Sequence, residues 1–365
     1  MTSAVDWLDS LSPWPPDGFG LVRMRALLVE LGDPQDSYPA IHVVGTNGKS
    51  TATIAIEQLL LADGLSVGST ISPHVAGWSE RIRLDGEEAG FEEAVEQVRS
   101  AAERLDATQF EIVIAAALAA FARERVDVAV VEAGLGGRLD ATNVLRSRVV
   151  LLTNVALEHT DVLGDTLEEI AREKLAVARA DSVVVLPDET YVPLVPGRQI
   201  VIGGAREAAE AFVGHAIDAD PEISLPGRLE RRPGEIRDGA HNPHGVAYLL
   251  DRLCGSEPQA STCDYTLVVS ILADKGADAM LRELARAGTR LVATRSSSAR
   301  ALSPAEVAEL ARPHFDHVET IDDPVEALAR AHELGEPVLV TGSLYLLGDI
   351  AASERTGERR AAWRG

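Results

Sequence analysis

The sequence is poor in cysteine and in positive charge. Its two cysteines, Cys254 and Cys263, are too few for a disulfide framework, and no metal-ligand partners accompany them. The 34 Lys and Arg residues are outnumbered by 57 Asp and Glu residues, which gives a net charge of −23. This balance argues against a nucleic-acid partner, because binding to a phosphate backbone needs a basic face. An anionic substrate must therefore be held by local donors against the field of the whole protein.

Long hydrophobic runs are also missing, although apolar residues make up 46% of the 365 residues. No run approaches the roughly 20 residues of a membrane-spanning helix, which argues against a membrane partner. The N-terminal sequence MTSAVDWLDSLSPWPPDG has neither the basic start nor the apolar core of a secretory signal. These absences predict a soluble, cytoplasmic, globular protein that we expect to be monomeric. Its length allows two domains with separate cores.

What the sequence does contain is a regular alternation of strand-like and helix-like patterns. Such alternation is typical of α/β domains in which helices cover a mainly parallel sheet. The predicted strands are 41–44, 65–70, 126–131, 148–153, 182–186, 265–271, 290–294 and 337–341. The predicted helices are 50–62, 91–105, 111–123, 167–179, 243–253, 277–286, 304–312 and 324–334.

The alternation weakens between residues 187 and 226, where the segment DADPEISLPGRLERRPGE begins. Prolines and a scarcity of apolar residues in this segment indicate a domain boundary. We therefore expect a first domain at residues 1–222, a linker at 223–233 and a smaller α/β domain at 234–365. The C-terminal segment SERTGERRAAWRG shows no pattern and is predicted to be frayed.

The segment IHVVGTNGKSTATIAIEQLL, residues 41–60, predicts a buried strand, a glycine turn and a helix. Such a turn points backbone N–H groups and a helix N-terminus at an anion. Lys49 would add a charge on the outer phosphates of a nucleotide, and Ser50 a hydroxyl for Mg²⁺. Gly45 and Gly48 are closer together than in a strict P-loop, which would have its first glycine at the position of Val43. An ordinary strand-turn-helix with a surface lysine is the alternative.

Glu132 and His159 follow two further predicted strands, at or soon after the point where each strand ends. Each residue alone is more often structural. Together with Ser50, however, they would place a hydroxyl, a carboxylate and an imidazole at the carboxyl ends of neighbouring strands, where a divalent metal could be shared. The residues by themselves predict a magnesium- and nucleotide-dependent enzyme of unspecified reaction.

Six motifs in order carry a resemblance to a known family. They are GTNGKST, SPHVAGWSERIRLDG, VEAGLGGRLDATNV, EHTDVLGDTLEEIAREK, LPGRLE and DGAHNPHG. Together they resemble the folylpolyglutamate synthase/dihydrofolate synthase family, a branch of the Mur ligase superfamily, and the match covers nearly the whole chain. The short glycine spacing is the form that this superfamily uses. The resemblance implies a P-loop Mur-ligase-like ATPase domain followed by a smaller Rossmann-like α/β domain.

The resemblance also implies an ATP-dependent amide ligase. In such an enzyme a pteroate or folate carboxylate takes the γ-phosphate of ATP to form an acyl phosphate, and the amine of L-glutamate then displaces phosphate. Whether dihydropteroate, a reduced folate or both accept the glutamate stays open. Phosphoryl transfer needs positioning and charge neutralisation more than an acid or base.

Site residues are implied by position in the matching motifs. The implied ATP-binding residues are Gly45, Thr46, Asn47, Gly48, Lys49, Ser50, Thr51, Arg228, Asp238 and His241. The implied Mg²⁺ ligands are Ser50, Glu132, His159 and Lys174, the last as a carbamate that would hold a second cation; Lys49, His159 and Lys174 form the implied catalytic group. The implied dihydropteroate contacts are Thr108, Phe110, Leu139, Asp140 and Ala141. Without the motifs, Lys174 would be interpreted as an exposed helix lysine and Phe110 as a core residue.

Three departures from the family pattern leave alternatives open. EKLAV replaces the usual Glu-Lys-Ala-Gly-Ile, and Glu158 replaces the aspartate of the usual DHT. The interval from Lys174 to Pro226 is also compact, and Glu207 aligns loosely where an asparagine usually contacts adenine. A carboxylate cannot donate as an amide does. A Mur-type ligase for another carboxylate, or a non-catalytic nucleotide-binding relative, would also fit these features.

Overall fold

The structure is a computed structural model that describes residues 3–12, 18–255 and 263–362, with only the backbone described at 160 and 356–362. Contacts between Cα atoms divide the chain into two units. Unit 1 consists of Met1–His74 and Trp78–Ile223, and unit 2 of Val75–Gly77 and Ser224–Gly365. The chain therefore enters unit 2 for three residues, returns to unit 1, and enters unit 2 again at Ser224.

Unit 1 is built on an eight-stranded sheet in the order β4-β3-β2-β5-β1-β6-β7-β8. The strands are β1 Ala40–Val44, β2 Val67–Thr70, β3 Arg83–Leu84, β4 Glu87–Glu88, β5 Val128–Glu132, β6 Ser147–Leu152, β7 Val183–Leu186 and β8 Gln199–Ile202. β2, β5, β1, β6, β7 and β8 run parallel, while β3 and β4 form an antiparallel hairpin at one edge. Every residue of β1 and β5 is buried, as expected of central parallel strands.

Helices cover both faces of this sheet. They are α1 Ala4–Asp9, α2 Val22–Glu30, α3 Lys49–Ala62, α4 Phe91–Arg104, α5 Gln109–Glu124, α6 Thr160–Leu163, α7 Leu167–Leu175 and α8 Ala205–Val213. α3 and α8 pack on one face, against the β1 side chains of Ile41 and Val43. α5 and α7 belong to the cores of the other face, which contain Ala40 and Val44. Because side chains alternate along a strand, His42 belongs to this second face.

Unit 2 is built on a six-stranded sheet in the order β13-β12-β11-β14-β10-β9, in which only β9 is antiparallel. The strands are β9 Glu230–Arg232, β10 Glu235–Arg237, β11 Thr266–Val269, β12 Arg290–Ala293, β13 His317–Thr320 and β14 Val338–Thr341. The helices are α9 Pro243–Cys254, α10 Ala277–Leu284, α11 Pro304–Ala311, α12 Pro324–Leu334 and α13 Leu344–Ala362. Val75 fills part of the core beneath α12 and α13, beside Leu346 and Leu347.

The mainly parallel α/β organisation that the sequence predicts is confirmed in both units. The structure also contains elements that the sequence did not predict. The interval 187–226, in which the predicted alternation weakens, contains β8 and α8. A strand, β13, lies between the helices predicted at 304–312 and 324–334. The tail predicted to be frayed continues α13 to Ala362, whereas residues 363–365 lie outside the described residues.

Two further findings concern the expectations drawn from absences. Cys254 and Cys263 are joined by a disulfide in unit 2. Disulfides are rarer in cytosolic proteins than in secreted ones. Across residues 3–12, 18–255 and 263–362, no helix is both long and apolar enough to cross a membrane.

Candidate nucleotide and metal site

Three strand ends meet at the carboxyl edge of the unit 1 sheet. β1 lies between β5 and β6, with Val43 paired with Glu132 and Val44 paired with Leu152. The prediction that these strand ends are adjacent is confirmed. Open α/β sheets bind their ligands at this edge, so the loops that leave β1, β5 and β6 are expected to form the binding site.

The phosphate loop (residues 45–48) connects β1 to α3 and is shaped by two glycines. Gly45 has a φ of 149°, and a Cβ there would lie 1.9 Å from Thr153 Oγ1. Gly48, with a φ of 79°, is the N-cap of α3, and among the described residues no side chain caps this helix. The first-turn amides and the positive end of the helix dipole are therefore left for an anion. Lys49 Nζ donates to the carbonyls of Gly45 and Thr46, each 3.1 Å away.

Two residues that the sequence analysis did not single out hold the phosphate loop in shape. Thr153 Oγ1 and Asn154 Nδ2 donate to the carbonyl of Asn47 at 2.8 and 3.0 Å. Asn154 Oδ1 accepts from the Asn47 amide at 3.0 Å, and the Asn154 carbonyl accepts from the Thr46 amide. Both anchors directly follow β6, so their position at a strand end was the only signal in the sequence.

The predicted metal ligands stand in different surroundings. Ser50 is buried in the first turn of α3. Glu132 ends β5, is 2% exposed and accepts from the Ser72 amide at 2.9 Å. His159 follows β6 with a φ of 49°, and its Nε2 lies 3.5 Å from Glu158 Oε1. A hydroxyl and a carboxylate are hard oxygen donors that fit Mg²⁺ or Mn²⁺, whereas an imidazole suits softer metals better. Within the described ranges, no group of three or more His, Cys, Asp or Glu side chains is arranged to hold a metal.

Lys174 lies in the last turn of α7 and is only 4% exposed. Its Nζ donates to the carbonyl of Gly45 at 2.9 Å, so the side chain reaches the phosphate loop. Burial and the positive charge of Lys49 lower the pKa of Lys174 to about 7, against the opposing charge of Glu158. Lys174 is therefore not an exposed helix lysine: it lies against the same loop as Lys49.

Thr108 and Phe110 lie at the start of α5. Thr108 is the N-cap and forms a capping box with Glu111, whose carboxylate also pairs with Arg23 at 2.8 Å. The ring of Phe110 lies over Gly134, where a Cβ would be 2.6 Å from the Phe110 Cζ atom. Thr108 thus has a structural bond of its own, and Phe110 packs against the glycine that follows β5.

The β5–β6 loop (residues 133–146) contains the other three predicted dihydropteroate contacts. Leu139 is 47% exposed, whereas Asp140 and Ala141 are buried. Asp140 accepts from the amides of Leu135 and Thr142 at 2.8 and 3.0 Å and from the Thr142 hydroxyl. Burial raises the pKa of Asp140, while these hydrogen bonds oppose the rise. The Asp140 carboxylate therefore organises the loop from inside, and Leu139 is the member that reaches the surface.

Arg228, Asp238 and His241 belong to unit 2, where the structure brings them together around Gly227 and Gly239. Arg228 Nη1 donates to the Gly227 carbonyl at 3.2 Å, and His241 Nδ1 lies 2.8 Å from the Gly239 carbonyl. The Asp238 carboxylate accepts from two backbone amides, at 2.8 and 2.9 Å. Burial raises the pKa of Asp238, against these bonds and the charge of Arg228.

The Glu207 carboxylate is already hydrogen-bonded and is not available to contact an adenine base. It is the third residue of α8, and its carboxylate accepts from the Gly204 amide at 2.7 Å. A Cβ on Gly203 would lie 2.4 Å from the Glu207 Cγ atom. The carboxylate that aligned loosely with an adenine-contacting asparagine thus caps the N-terminus of its own helix.

Comparison with known proteins identifies the same family that the motifs indicated. The Mur ligase middle domain matches residues 43–195, and the Mur ligase, glutamate ligase domain matches residues 227–344. The chain is 30% identical to the dihydrofolate synthase/folylpolyglutamate synthase of Mycobacterium tuberculosis, over 88% of this chain and 84% of the relative. It is 32% identical to the folylpolyglutamate synthase of Lacticaseibacillus casei, over 90% of this chain and 92% of the relative.

Solved structures agree with this assignment. The folylpolyglutamate synthase of Mycobacterium tuberculosis, complexed with ADP and AMPPCP, superposes with a TM-score of 0.84 at 28% identity, over 94% of this chain and 96% of that one. The bifunctional synthase of Yersinia pestis, complexed with AMPPNP and a Mn ion, gives a TM-score of 0.82 at 27% identity, over 97% and 98%. The chain belongs to the folylpolyglutamate synthase/dihydrofolate synthase family of Mur ligases.

Proposed function

We propose that this protein is an ATP-dependent ligase that adds L-glutamate to dihydropteroate, to a reduced folate, or to both. The observation that carries the proposal is the phosphate loop in a chain of this family: it leads from β1 into an uncapped helix N-terminus with Lys49, and Glu132 ends the strand paired with β1. The names of the sequence relatives, dihydrofolate synthase and folylpolyglutamate synthase, supply the reaction and the substrates.

The first step transfers the γ-phosphoryl group of ATP to the pterin carboxylate and gives an acyl phosphate and ADP. The amine of glutamate then attacks the acyl carbon, and phosphate leaves as the amide forms. In the first step the open amides at the start of α3 and the Lys49 ammonium neutralise charge on the transferring group. Lys49 already contacts two loop carbonyls, so it is held in place before the nucleotide binds.

Ser50 and Glu132 would hold the magnesium ion, with His159 as the less suited third ligand. The ion supplies charge neutralisation at the β- and γ-phosphates when it is bound. The Glu132 carboxylate is held in position by the Ser72 amide and therefore needs little reorganisation. The acid substrate is assigned to Thr108, Phe110, Leu139, Asp140 and Ala141. On unit 2, Arg228, Asp238 and His241 are assigned to the nucleotide.

Lys174 is proposed to work as a carbamate that holds a second cation. Its burial against the phosphate loop, close enough to Lys49 for mutual repulsion, supports this role, because a carbamate would replace one of two neighbouring cations by an anion. The competing role is that of an ammonium group that only bridges α7 to the Gly45 carbonyl.

The proposed domains are residues 1–222 for ATP binding, 223–233 as a linker and 234–365 as the C-terminal ligase domain. The compact interval after Lys174 gives no support to a decayed, non-catalytic relative, because it supplies β8 and α8 to the sheet and core of unit 1. A monomer in the cytoplasm completes the proposal. Acid quenching and alkylation of cells, followed by mass spectrometry of the Cys254 and Cys263 peptides, tests that location: reduced thiols support the cytoplasm and a bonded pair opposes it.

The assay that tests the function measures phosphate release from ATP together with glutamyl product. Dihydropteroate and tetrahydrofolate are offered separately, each with L-glutamate and Mg²⁺. We expect turnover only when acid, ATP, Mg²⁺ and glutamate are all present, because the amine attacks an acyl phosphate that must form first. Tight ATP binding without glutamyl product from either acceptor would support a non-catalytic relative. Product only with another carboxylate would support a different Mur-type ligase.

A further inference from the structure

A buried chain of hydrogen bonds connects the middle of β1 to the β5–β6 loop. His42, Thr142 and Asp140 form it, and their exposed fractions are 0%, 0% and 6%. His42 Nε2 lies 2.8 Å from Thr142 Oγ1, and the Thr142 hydroxyl donates to Asp140 Oδ1. Asp140 Oδ2 continues the chain by accepting from the Leu135 amide at 2.8 Å. Neither His42 nor Thr142 has a part in the proposed reaction.

The direction of each hydrogen bond follows from counting protons. Both Asp140 oxygens accept from backbone amides, so the carboxylate needs no proton of its own. The single hydroxyl proton of Thr142 is given to Asp140, and Thr142 Oγ1 can therefore only accept from His42. His42 must then be the neutral tautomer with its proton on Nε2. Its Nδ1 atom is buried and finds no hydrogen-bond partner in the described part of the chain.

Burying His42 with an Nδ1 atom that has no partner among the described residues lowers the stability of the fold. A buried polar atom without a partner loses its hydration and gains no bond, and such atoms are rare in folded proteins. Burial, with a smaller contribution from the charge of Arg179, lowers the pKa of His42 to about 3, so the ring stays neutral near pH 7. The interior of β1 thus carries a histidine that is fully desolvated and makes one directed bond.

The hydrogen bond from His42 to Thr142 connects two segments of the candidate site. His42 lies three residues before Gly45 on the strand that leads into the phosphate loop. At the other end of the chain, Asp140 lies between Leu139 and Ala141, and its charge also acts on Lys174. The strand that carries the phosphate loop is therefore tied, side chain to side chain, to the turn at residues 139–141.

We infer that His42 and Thr142 are positioning residues for the acid substrate. They hold Asp140, and through it the turn at residues 139–141, in the geometry that receives the pterin acid beside the phosphate loop. The inference rests on the proposed function, because the assignment of residues 139–141 to the acid is part of it.

The first test examines the chain in the unaltered protein. Nitrogen-15 NMR of the histidine-labelled full chain, with His42 assigned by the spectrum of His42→Gln, reports the tautomer directly. We expect a neutral ring protonated at Nε2 whose signals do not change between about pH 5 and pH 8. A ring protonated at Nδ1, or one that titrates in this range, would overturn the inference without reference to activity.

The second test separates positioning from general stability. Thr142→Val keeps the shape of the side chain but removes both side-chain bonds, whereas Thr142→Ser keeps the hydroxyl. Thr266→Val is the matched control, since Thr266 is also 0% exposed but its hydroxyl has no partner among the described residues. We expect Thr142→Val to raise KM and Kd for dihydropteroate about tenfold, while KM for ATP changes less than about twofold. Thr142→Ser and Thr266→Val should behave as the wild type.

Equal changes in both KM values, no change in either, or failure of Thr142→Ser to restore the acid KM would overturn the inference. If Thr142→Val does not fold, the tautomer of the unaltered protein and the serine variant decide the matter. If the wild type forms no glutamyl product, the proposed function fails. The dihydropteroate Kd, measured by equilibrium dialysis with ADP present, still tests the role of the chain.

Discussion

The phosphate loop and the β5–β6 loop leave the same edge of one sheet, but they use their hydrogen-bond donors in opposite ways. The phosphate loop is held from outside by Thr153 and Asn154, and the first amides of α3 stay uncapped. The β5–β6 loop is held from inside by Asp140, which takes up the amides of Leu135 and Thr142. Backbone amides without a partner are available to a ligand, whereas amides that are already hydrogen-bonded stabilise the conformation of their loop. The first loop should therefore govern rate, and the second should govern stability and fit.

Lys49→Ala tests the open loop most directly and should have the largest effect. The ammonium group is a side-chain cation held against the phosphate loop, and removing such a donor lowers turnover about 100- to 1000-fold. The melting temperature should change little, because the loop keeps its hydrogen bonds to Thr153 and Asn154. Steady-state kinetics and thermal unfolding measure the two effects. Normal turnover together with a much lower melting temperature would reverse the roles given to the two loops.

Lys174 lies between the two loops, and its variants sharpen the comparison. Lys174→Ala should lose most activity, and added formate or acetate should restore part of it by filling the vacated anion site. Lys174→Arg keeps a positive charge but cannot form a carbamate, so it should be as inactive as Lys174→Ala. The matched control is Arg172→Ala, an exposed cation on the same helix paired with Glu168. An active Lys174→Arg enzyme would show that Lys174 serves only as a cation.

Glu132→Ala compares a carboxylate assigned to the metal with one that is structural. We expect turnover to fall about 100-fold or more, with a smaller effect on folding, because the metal acts on the charge that develops during phosphoryl transfer. Glu57→Ala is the contrast, since Glu57 is 0% exposed and pairs with Arg83 and Ser69. Its loss should lower the free energy of unfolding by roughly 3–5 kcal/mol. A Glu132→Ala protein that unfolds, with full turnover in the folded fraction, would make Glu132 structural.

Gly137→Ala tests the closed loop. A Cβ on Gly137 would lie 2.5 Å from the carbonyl oxygen of Lys174 and 2.7 Å from that of Glu173. Backbone atoms cannot rotate away, so we expect a loss of about 1–3 kcal/mol in the free energy of unfolding. Gly20→Ala, where the added Cβ would meet nothing within 4 Å, is the control. Equal denaturant midpoints for the two variants would show that the β5–β6 loop can move away from α7.

Arg138→Ala should have the smallest effect. Arg138 pairs with Glu173 at 3.0 Å, but its side chain is 59% exposed. Exposed ion pairs contribute less than about 1 kcal/mol, so the denaturant midpoint should shift only slightly. A large shift would mean that the β5–β6 loop depends on this surface pair more than on Asp140.

The sequence was sufficient for the central parallel strands of unit 1 and insufficient for the edge strands of both units. β1 and β5 are buried throughout, and their uninterrupted apolar character predicts them. β8 and β13 are edge strands whose residues are all partly or fully exposed, and both were missed. An edge strand pairs on one side only and is formed by its neighbour as much as by its own side chains, so its pattern is weak.

The candidate site shows the same limit. The strand-end positions of Glu132 and the phosphate loop follow from the order of elements, and their adjacency could be predicted. The inward bonds of Asp140 and Glu207 could not, because a carboxylate selects its amide partners only after the loop or helix end around it has formed. Residue type indicated a polar contact in both cases, but not its direction.

The brief passage of residues 75–77 through unit 2 has a practical consequence for dissecting the protein. A polypeptide that begins at Ser224 lacks Val75, whose side chain packs beside Gly227 and Leu347. The core of such a fragment would lack the Val75 side chain and contain a cavity in its place. In the intact chain this side chain comes from a position about 150 residues upstream of Ser224. A synthetic peptide spanning residues 72–80 should therefore raise the thermal stability of the isolated fragment, and the same peptide with Val75→Ser should do so less.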